Sequence, residues 1–152
     1  MRIIDIRDDL ARSRSRKYAT RPLRKIEKLV VHHSGTRGGT PKSFAWYHVH
    51  ARGWPGIGYH YVISPDGVVF KTNALTTVSY HARGANLGGV GICLVGDFNR
   101  SEPTGAQMEA LTELLGLLLH HHPGAEIVLH REVKGSRTSC PGLKFPAEGL
   151  PR

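Results

Sequence analysis

Apolar positions along this 152-residue chain fall into short runs of two periods. Leu29-Val30-Val31 is a continuous, β-branched run and predicts a buried strand. It leads into His32 and His33, then into the turn-rich stretch Ser34 to Gly39. Thr40 before Pro41 has the form of an N-cap followed by proline at the first helical position. A helix is expected from there to about Arg52, stopped by Gly53. Ile57–Ser64 predicts a second strand and Val68–Phe70 a third. Between them, Pro65-Asp66-Gly67 is a turn in which proline presets φ and glycine supplies φ > 0, so 57–71 reads as a hairpin. Val90–Val95 is apolar enough to lie centrally in a sheet. Thr104 with Gln107 forms a capping box. Met108, Leu111, Leu114, Leu115, Leu118 and Leu119 then give one broad apolar helical face, which ends near His121 ahead of Pro123-Gly124. Ile127–Leu129 is a fifth strand, and it delivers His130.

The order β-α-β-β-β-α-β predicts one α/β domain. Its expected architecture is a central mixed sheet of about five strands flanked by helices, with the chemistry at strand ends. The length suits one domain with a real core. No apolar run approaches the roughly 20 residues of a membrane span, so no transmembrane segment is expected. The first residues lack the apolar stretch of a signal peptide, so synthesis in the cytoplasm is expected. Two cysteines, Cys93 and Cys140, cannot make a disulfide framework. In a reducing compartment, a metal-binding or catalytic role for at least one is the better reading. Cys93, mid-strand, reads as a small buried hydrophobe.

Charge adds a boundary. Residues 1–28 hold ten Lys/Arg and four acids, a net +6, and residues 29–152 hold eleven and eight, a net +3, making the formal +9. The chain therefore divides into a basic N-terminal arm, 1–28, and a domain, 29–152. Such an arm favours an anionic polymer or surface, whether nucleic acid, lipopolysaccharide, teichoic acid or lipid; it can equally be a solvated tail. With one Tyr and no Phe or Trp, it offers no stacking platform, and no specific nucleic-acid binding is expected.

Two strands end in histidine, VVHH at 30–33 and IVLH at 127–130, and Cys140 follows ten residues later. Imidazole and thiolate are the usual zinc ligands, and a catalytic zinc needs three protein ligands and one open position. On spacing alone, strand-end histidines can equally be satisfied hydrogen-bonders. By alternation, His33 should point away from His32, and His60 away from Tyr59. His120 to His122 are simply favoured at a helix C-terminus when protonated.

Four ordered stretches decide more. VVHHSGT at 30–36, GIGYHYVISPDG at 56–67, SYHARGANLGGVGICLVGDF at 79–98 and LHREVKGSRTSCPG at 129–142 together resemble the type 2 N-acetylmuramoyl-L-alanine amidases. That family includes phage amidase lysozymes and animal peptidoglycan recognition proteins. The resemblance implies one zinc ion held by His32, His130 and Cys140, with Tyr59 and Thr138 as catalytic residues. Phage amidase lysozymes carry lysine at the position of Thr138, whereas amidase-active recognition proteins carry threonine. It also implies His81, and more weakly Asn86, as substrate-binding residues; His33, placed on the opposite face by alternation, reads first as a packing residue and only second as a substrate contact. The implied reaction is hydrolysis of the amide between the lactyl group of muramic acid and L-Ala in peptidoglycan. A zinc ion activates water at neutral pH and polarises the carbonyl under attack. The expected protein is a monomeric endolysin or wall lysin, reaching the wall through a separate pore protein, with its arm on the anionic envelope. The alternatives are a non-catalytic peptidoglycan-binding module and a cytoplasmic amidase that recycles wall fragments.

Overall fold

A computed structural model describes all 152 residues. Strands β1 (Ile3–Asp5), β2 (Lys28–His33), β3 (Tyr61–Ile63), β4 (Val69–Lys71), β5 (Gly89–Leu94) and β6 (Glu126–Leu129) form one sheet in the order β1-β4-β3-β5-β2-β6. Only β3 and β4 run antiparallel, across the turn at Gly67, whose φ is +84°. β2 and β5 are central and buried at almost every position, which is why both read as unbroken apolar runs.

Helix α1 (Pro41–His50) starts on a capping box of Thr40 and Ser43. Helix α2 (Gly105–His121) starts on one of Thr104 and Gln107. Gln107 is buried and also donates from Nε2 to the carbonyls of Val95 and Ile63, so one side chain caps a helix and satisfies two strand ends. The predicted face of α2 is the buried one. Leu111, Leu114, Leu115 and Leu118 pack on Leu29, Val31, Ile63, Ile92, Leu94, Ile127 and Leu129, with Met108 and Leu119 at the margin. Full burial of each such side chain contributes roughly 1.5–3 kcal/mol. The other sheet face carries Val30 and Val128 against Ala82, Ala85 and Val133, and Val62 and Cys93 against Ala45 of α1, Ile57 and Leu10. Period-2 alternation along β2 therefore sends Val30 and His32 to the face opposite α2.

Two expectations meet a different structure. The strand expected from Ile57 begins only at Tyr61. Before it, the backbone groups of 57–59 pair with side chains: Asn73 donates to the carbonyls of Ile57 and Tyr59, and Gly58 N–H donates to His48 Nδ1. Alternation therefore does not govern residues 59 and 60. The Tyr59 ring lies 5.5 Å from that of His32, at the site, and the His60 ring 5.8 Å from that of His81, behind it.

Residues 1–28, set apart by charge, are folded onto the rest of the chain. β1 is a sixth strand, pairing with β4 at the sheet edge. Leu10 and Ile26 are buried, Tyr18 donates to the Gly56 carbonyl, and Arg12 donates to Asn73 and the Thr72 carbonyl. Arg21 is 4% exposed, and its guanidinium donates to the carbonyls of Leu75, Asn86, Leu87 and Gly89. High charge density sets the segment apart as a basic arm, and the guanidiniums of Arg12 and Arg21 bond backbone carbonyls, a use that composition does not register.

Candidate metal centre

β2 ends at His32 and His33, β6 ends immediately before His130, and the 138–142 loop carries Cys140. Parallel pairing of β2 with β6 brings the two strand ends together. The loop returns by donation from Arg131 N–H to the Cys140 carbonyl at 2.9 Å and from the Arg131 guanidinium to the carbonyls of Ser139 and Gly142. One potential ligand atom from each of His32, His130 and Cys140 then lies within 4.8 Å of the others. His32 Nδ1 stands 3.8 Å from Cys140 Sγ. A tetrahedral ion with zinc-like bonds of about 2.0 Å to nitrogen and 2.3 Å to sulfur separates such ligands by about 3.6 Å, so the donors fit.

The electrostatics of the two imidazoles support the same reading, while burial alone keeps the thiol protonated until a cation draws off its proton. Burial pushes His32 well below the usual imidazole range, helped by His81 and His130, and pushes His130 down as well. Both are therefore neutral and able to ligate. Burial raises the Cys140 thiol to about 11, against the pull of the His33 N–H, which points at Sγ from 3.4 Å, and of Arg131. Burial, then Cys93 and Cys140, hold the Tyr59 hydroxyl far above the usual phenol range, so it stays protonated and can donate.

The cluster lies between two clefts. One is lined by Phe44, Tyr47, His48, Trp54 and Tyr59. The other is lined by Arg83, His130, Lys134, Arg137 and Thr138.

The sequence profile of the N-acetylmuramoyl-L-alanine amidase family matches residues 22–143. The chain belongs to this family. It is 33% identical to the endolysin of Escherichia phage T7 over 126 residues, 77% of this chain and 81% of that one. The endolysin of the Thermus scotoductus bacteriophage Ph2119 superposes with a TM-score of 0.84 at 31% identity, covering 93% of this chain and 92% of that one. The amidase LysC of Clostridium intestinale gives 0.81 at 30% identity, covering 97% and 93%.

Within this amidase fold, the predicted residues separate into two groups. His32, His130, Cys140, Tyr59 and Thr138 gather at the cluster and its clefts. Thr138 is exposed, and its Oγ1 accepts the Cys140 N–H at 3.1 Å, so its own hydroxyl proton is free to point outward. His81, Asn86 and His33 line neither cleft. Asn86 Oδ1 accepts from the N–H groups of His81 and Ala82. His33 Nδ1 accepts from the Phe98 N–H on the side away from His32. His81 is buried behind His32. Both ring nitrogens of His81 are thus engaged within the protein, as are Asn86 Oδ1 and His33 Nδ1.

Beyond Tyr59, His130 and Thr138, sequence reasoning missed most of both cleft linings. Phe44, Tyr47 and Trp54 carried a signal, as aromatics on and just after a helix with one buried stripe. Arg83, Lys134 and Arg137 come together only through the fold. His120 to His122 do not converge on a metal-ligating arrangement.

Proposed function

We propose that this chain is a zinc-dependent N-acetylmuramoyl-L-alanine amidase that cuts peptidoglycan between the lactyl group of muramic acid and L-Ala, and that it works as an endolysin. The observation that carries this reading is the convergence of His32, His130 and Cys140 between two clefts. The donor set supports zinc: two neutral imidazoles and one thiol, with no carboxylate in the cluster. When bound, zinc supplies a Lewis acid for the scissile carbonyl and lowers the pKa of water at the site.

The chain's own residues supply the rest. Tyr59, kept protonated by burial, donates its hydroxyl hydrogen to the oxygen that gains charge during attack. Thr138 presents a second hydroxyl from the opposite cleft, its orientation set by the Cys140 N–H. Each such donor stabilises a transition state by roughly 3 kcal/mol. Arg83, Lys134 and Arg137 offer positive charge to the carboxylates of a peptide stem. The exposed cations Arg2, Arg14, Lys17, Arg24 and Lys25 of the N-terminal segment attach the enzyme to the anionic envelope.

Mass spectrometry of purified peptidoglycan digested with and without a chelator tests this reading. The expected products are stem peptides with a free L-Ala amino terminus, absent when metal is withdrawn. Cleavage at another bond, or undiminished cleavage by metal-free protein, overturns it. Persistence of activity in Cys140→Ala shows that the site lies elsewhere.

A further inference from the structure

His81 touches His32 and none of the cleft walls. His32 turns Nδ1 towards Cys140 Sγ and places Nε2 at 3.0 Å from His81 Nδ1. A neutral imidazole has one N–H and one lone-pair nitrogen. His81 Nε2 lies 3.3 Å from the Gly89 carbonyl oxygen, which can only accept. The proton of His81 is therefore on Nε2, and its Nδ1 is an acceptor. His32 must then donate from Nε2, and its lone pair is left on Nδ1, on the side of the metal cluster. The other tautomer would set two lone pairs against each other at 3.0 Å.

The place of His81 is built for it. A Cβ at Gly91 would lie 2.6 Å from His81 Cγ and 2.8 Å from Nδ1, and one at Gly89 would lie 3.0 Å from Cε1. The two glycines alternate along β5, so the strand presents a groove in which the ring rests. Asn86 pins the backbone on either side of the ring by accepting from the N–H groups of His81 and Ala82. Arg21 donates at 2.9 Å to the same Gly89 carbonyl that His81 uses. The chain of contacts thus runs from the N-terminal segment, through one carbonyl and one imidazole, to a ligand.

We propose that His81 is a positioning residue that fixes which nitrogen His32 offers to the metal, with Gly89 and Gly91 as its seat and Arg21 as its anchor. This rests on the zinc reading above. Ligating histidines gain both orientation and basicity from such a partner.

The test compares full-length wild type with His81→Phe, His81→Asn and Gly91→Ala. Zinc affinity is measured by competition with a chromophoric chelator. The visible absorption spectrum is recorded after cobalt(II) loading, and circular dichroism of each metal-free protein establishes folding. Phenylalanine keeps the ring and removes the acceptor, asparagine returns an acceptor oxygen near the place of Nδ1, and alanine at 91 pushes the ring off its seat. Phenylalanine and the Gly91 variant should weaken zinc binding 10–100-fold and shift the cobalt bands. Asparagine should recover most of both. Folded His81→Phe that binds zinc as tightly as wild type, with the same cobalt spectrum, overturns the proposal. Folded His81→Asn as impaired as His81→Phe also overturns it, because the ring would then serve only to fill space. Wild type that binds neither ion overturns the zinc reading itself.

Discussion

Replacing Arg21 with methionine removes a buried guanidinium while keeping the apolar stem. In the native chain that group is 4% exposed, bonds four carbonyls and has no carboxylate beside it. Gly89 would keep His81 as a donor, but the carbonyls of Leu75, Asn86 and Leu87 would each lose the donor that the structure gives them. The three hydrogen bonds are part-buried and come from a charged donor; at the low end of the roughly 1.5–3 kcal/mol that such a bond contributes, their loss costs about 4–6 kcal/mol gross. Part of this is offset, because methionine no longer carries a charge out of water; burial already pushes the Arg21 pKa down. The net loss should be about 3–5 kcal/mol, a large share of the roughly 5–15 kcal/mol available to a typical domain. For a chain of this length that lowers the melting temperature by roughly 6–20 °C. Equilibrium unfolding in urea is the assay, with Arg14→Met as the control: Arg14 is exposed, and its loss should change stability by less than about 0.5 kcal/mol. If Arg21→Met falls within 1 kcal/mol of wild type, the account of the N-terminal segment as a structural part of the domain is wrong.

Withdrawing metal should lower the melting temperature. Zinc at a thousand times its dissociation constant stabilises by about 4 kcal/mol, roughly 8–16 °C here, and Cys140→Ala should melt alike with and without chelator; equal melting of wild type in both conditions would count against the site. Tyr59→Phe should reduce kcat by about 10²–10³ while zinc affinity stays near wild type, as single-turnover kinetics and metal titration will establish; an unchanged kcat removes Tyr59 from the chemistry. His60 is wholly buried and depressed to about 4 by its surroundings, below the 6.5 of a free imidazole. Between those values the unfolded chain binds more protons than the folded one. The His60 contribution is therefore intact above pH 6.5 and falls away as pH drops towards 4, by on the order of 3 kcal/mol. His60→Gln should reduce the difference between urea melts at pH 5 and pH 7, the other buried histidines keeping the remainder, and an unaltered difference contradicts the assignment. Neutralising Arg14, Lys17, Arg24 and Lys25 to glutamine should weaken binding to whole cell walls at low salt and reduce its salt dependence without lowering stability, whereas unchanged binding rules out envelope attachment by this face.

The opposed fates of His32 and His33 locate the boundary of what the sequence carries. Alternation along a strand is a local rule, and β2 obeys it: His32 goes to the cluster with His130 and Cys140, and His33 goes to Phe98. The same rule fails one strand later, at Tyr59 and His60, because Asn73 and His48 pair with the backbone of 57–59 ahead of the regular strand. Those partners are distant in sequence, and no local period announces them. The Thr40 N-cap, the Thr104 capping box, the Gly67 turn and the apolar face of α2 were legible for the same reason as His32, since each is settled within a few residues.

Charge was the least informative signal, because it counts ions and not their partners. Arg12 and Arg21 add to a basic N-terminal tally, yet both spend their guanidiniums on carbonyls more than fifty residues away. The setting of His81 was hidden for a related reason. A histidine in a glycine-rich loop resembles a groove residue until Gly89 and Gly91 are seen to leave it a seat against the strand. The three candidate ligands stand at the ends of strands and at a loop tied back by Arg131. The groups that aim them come from segments the ligands' own neighbourhoods do not contain. A search for further determinants of metal affinity in this fold should therefore follow the carbonyls gripped by Arg21, and not only the residues that line the clefts.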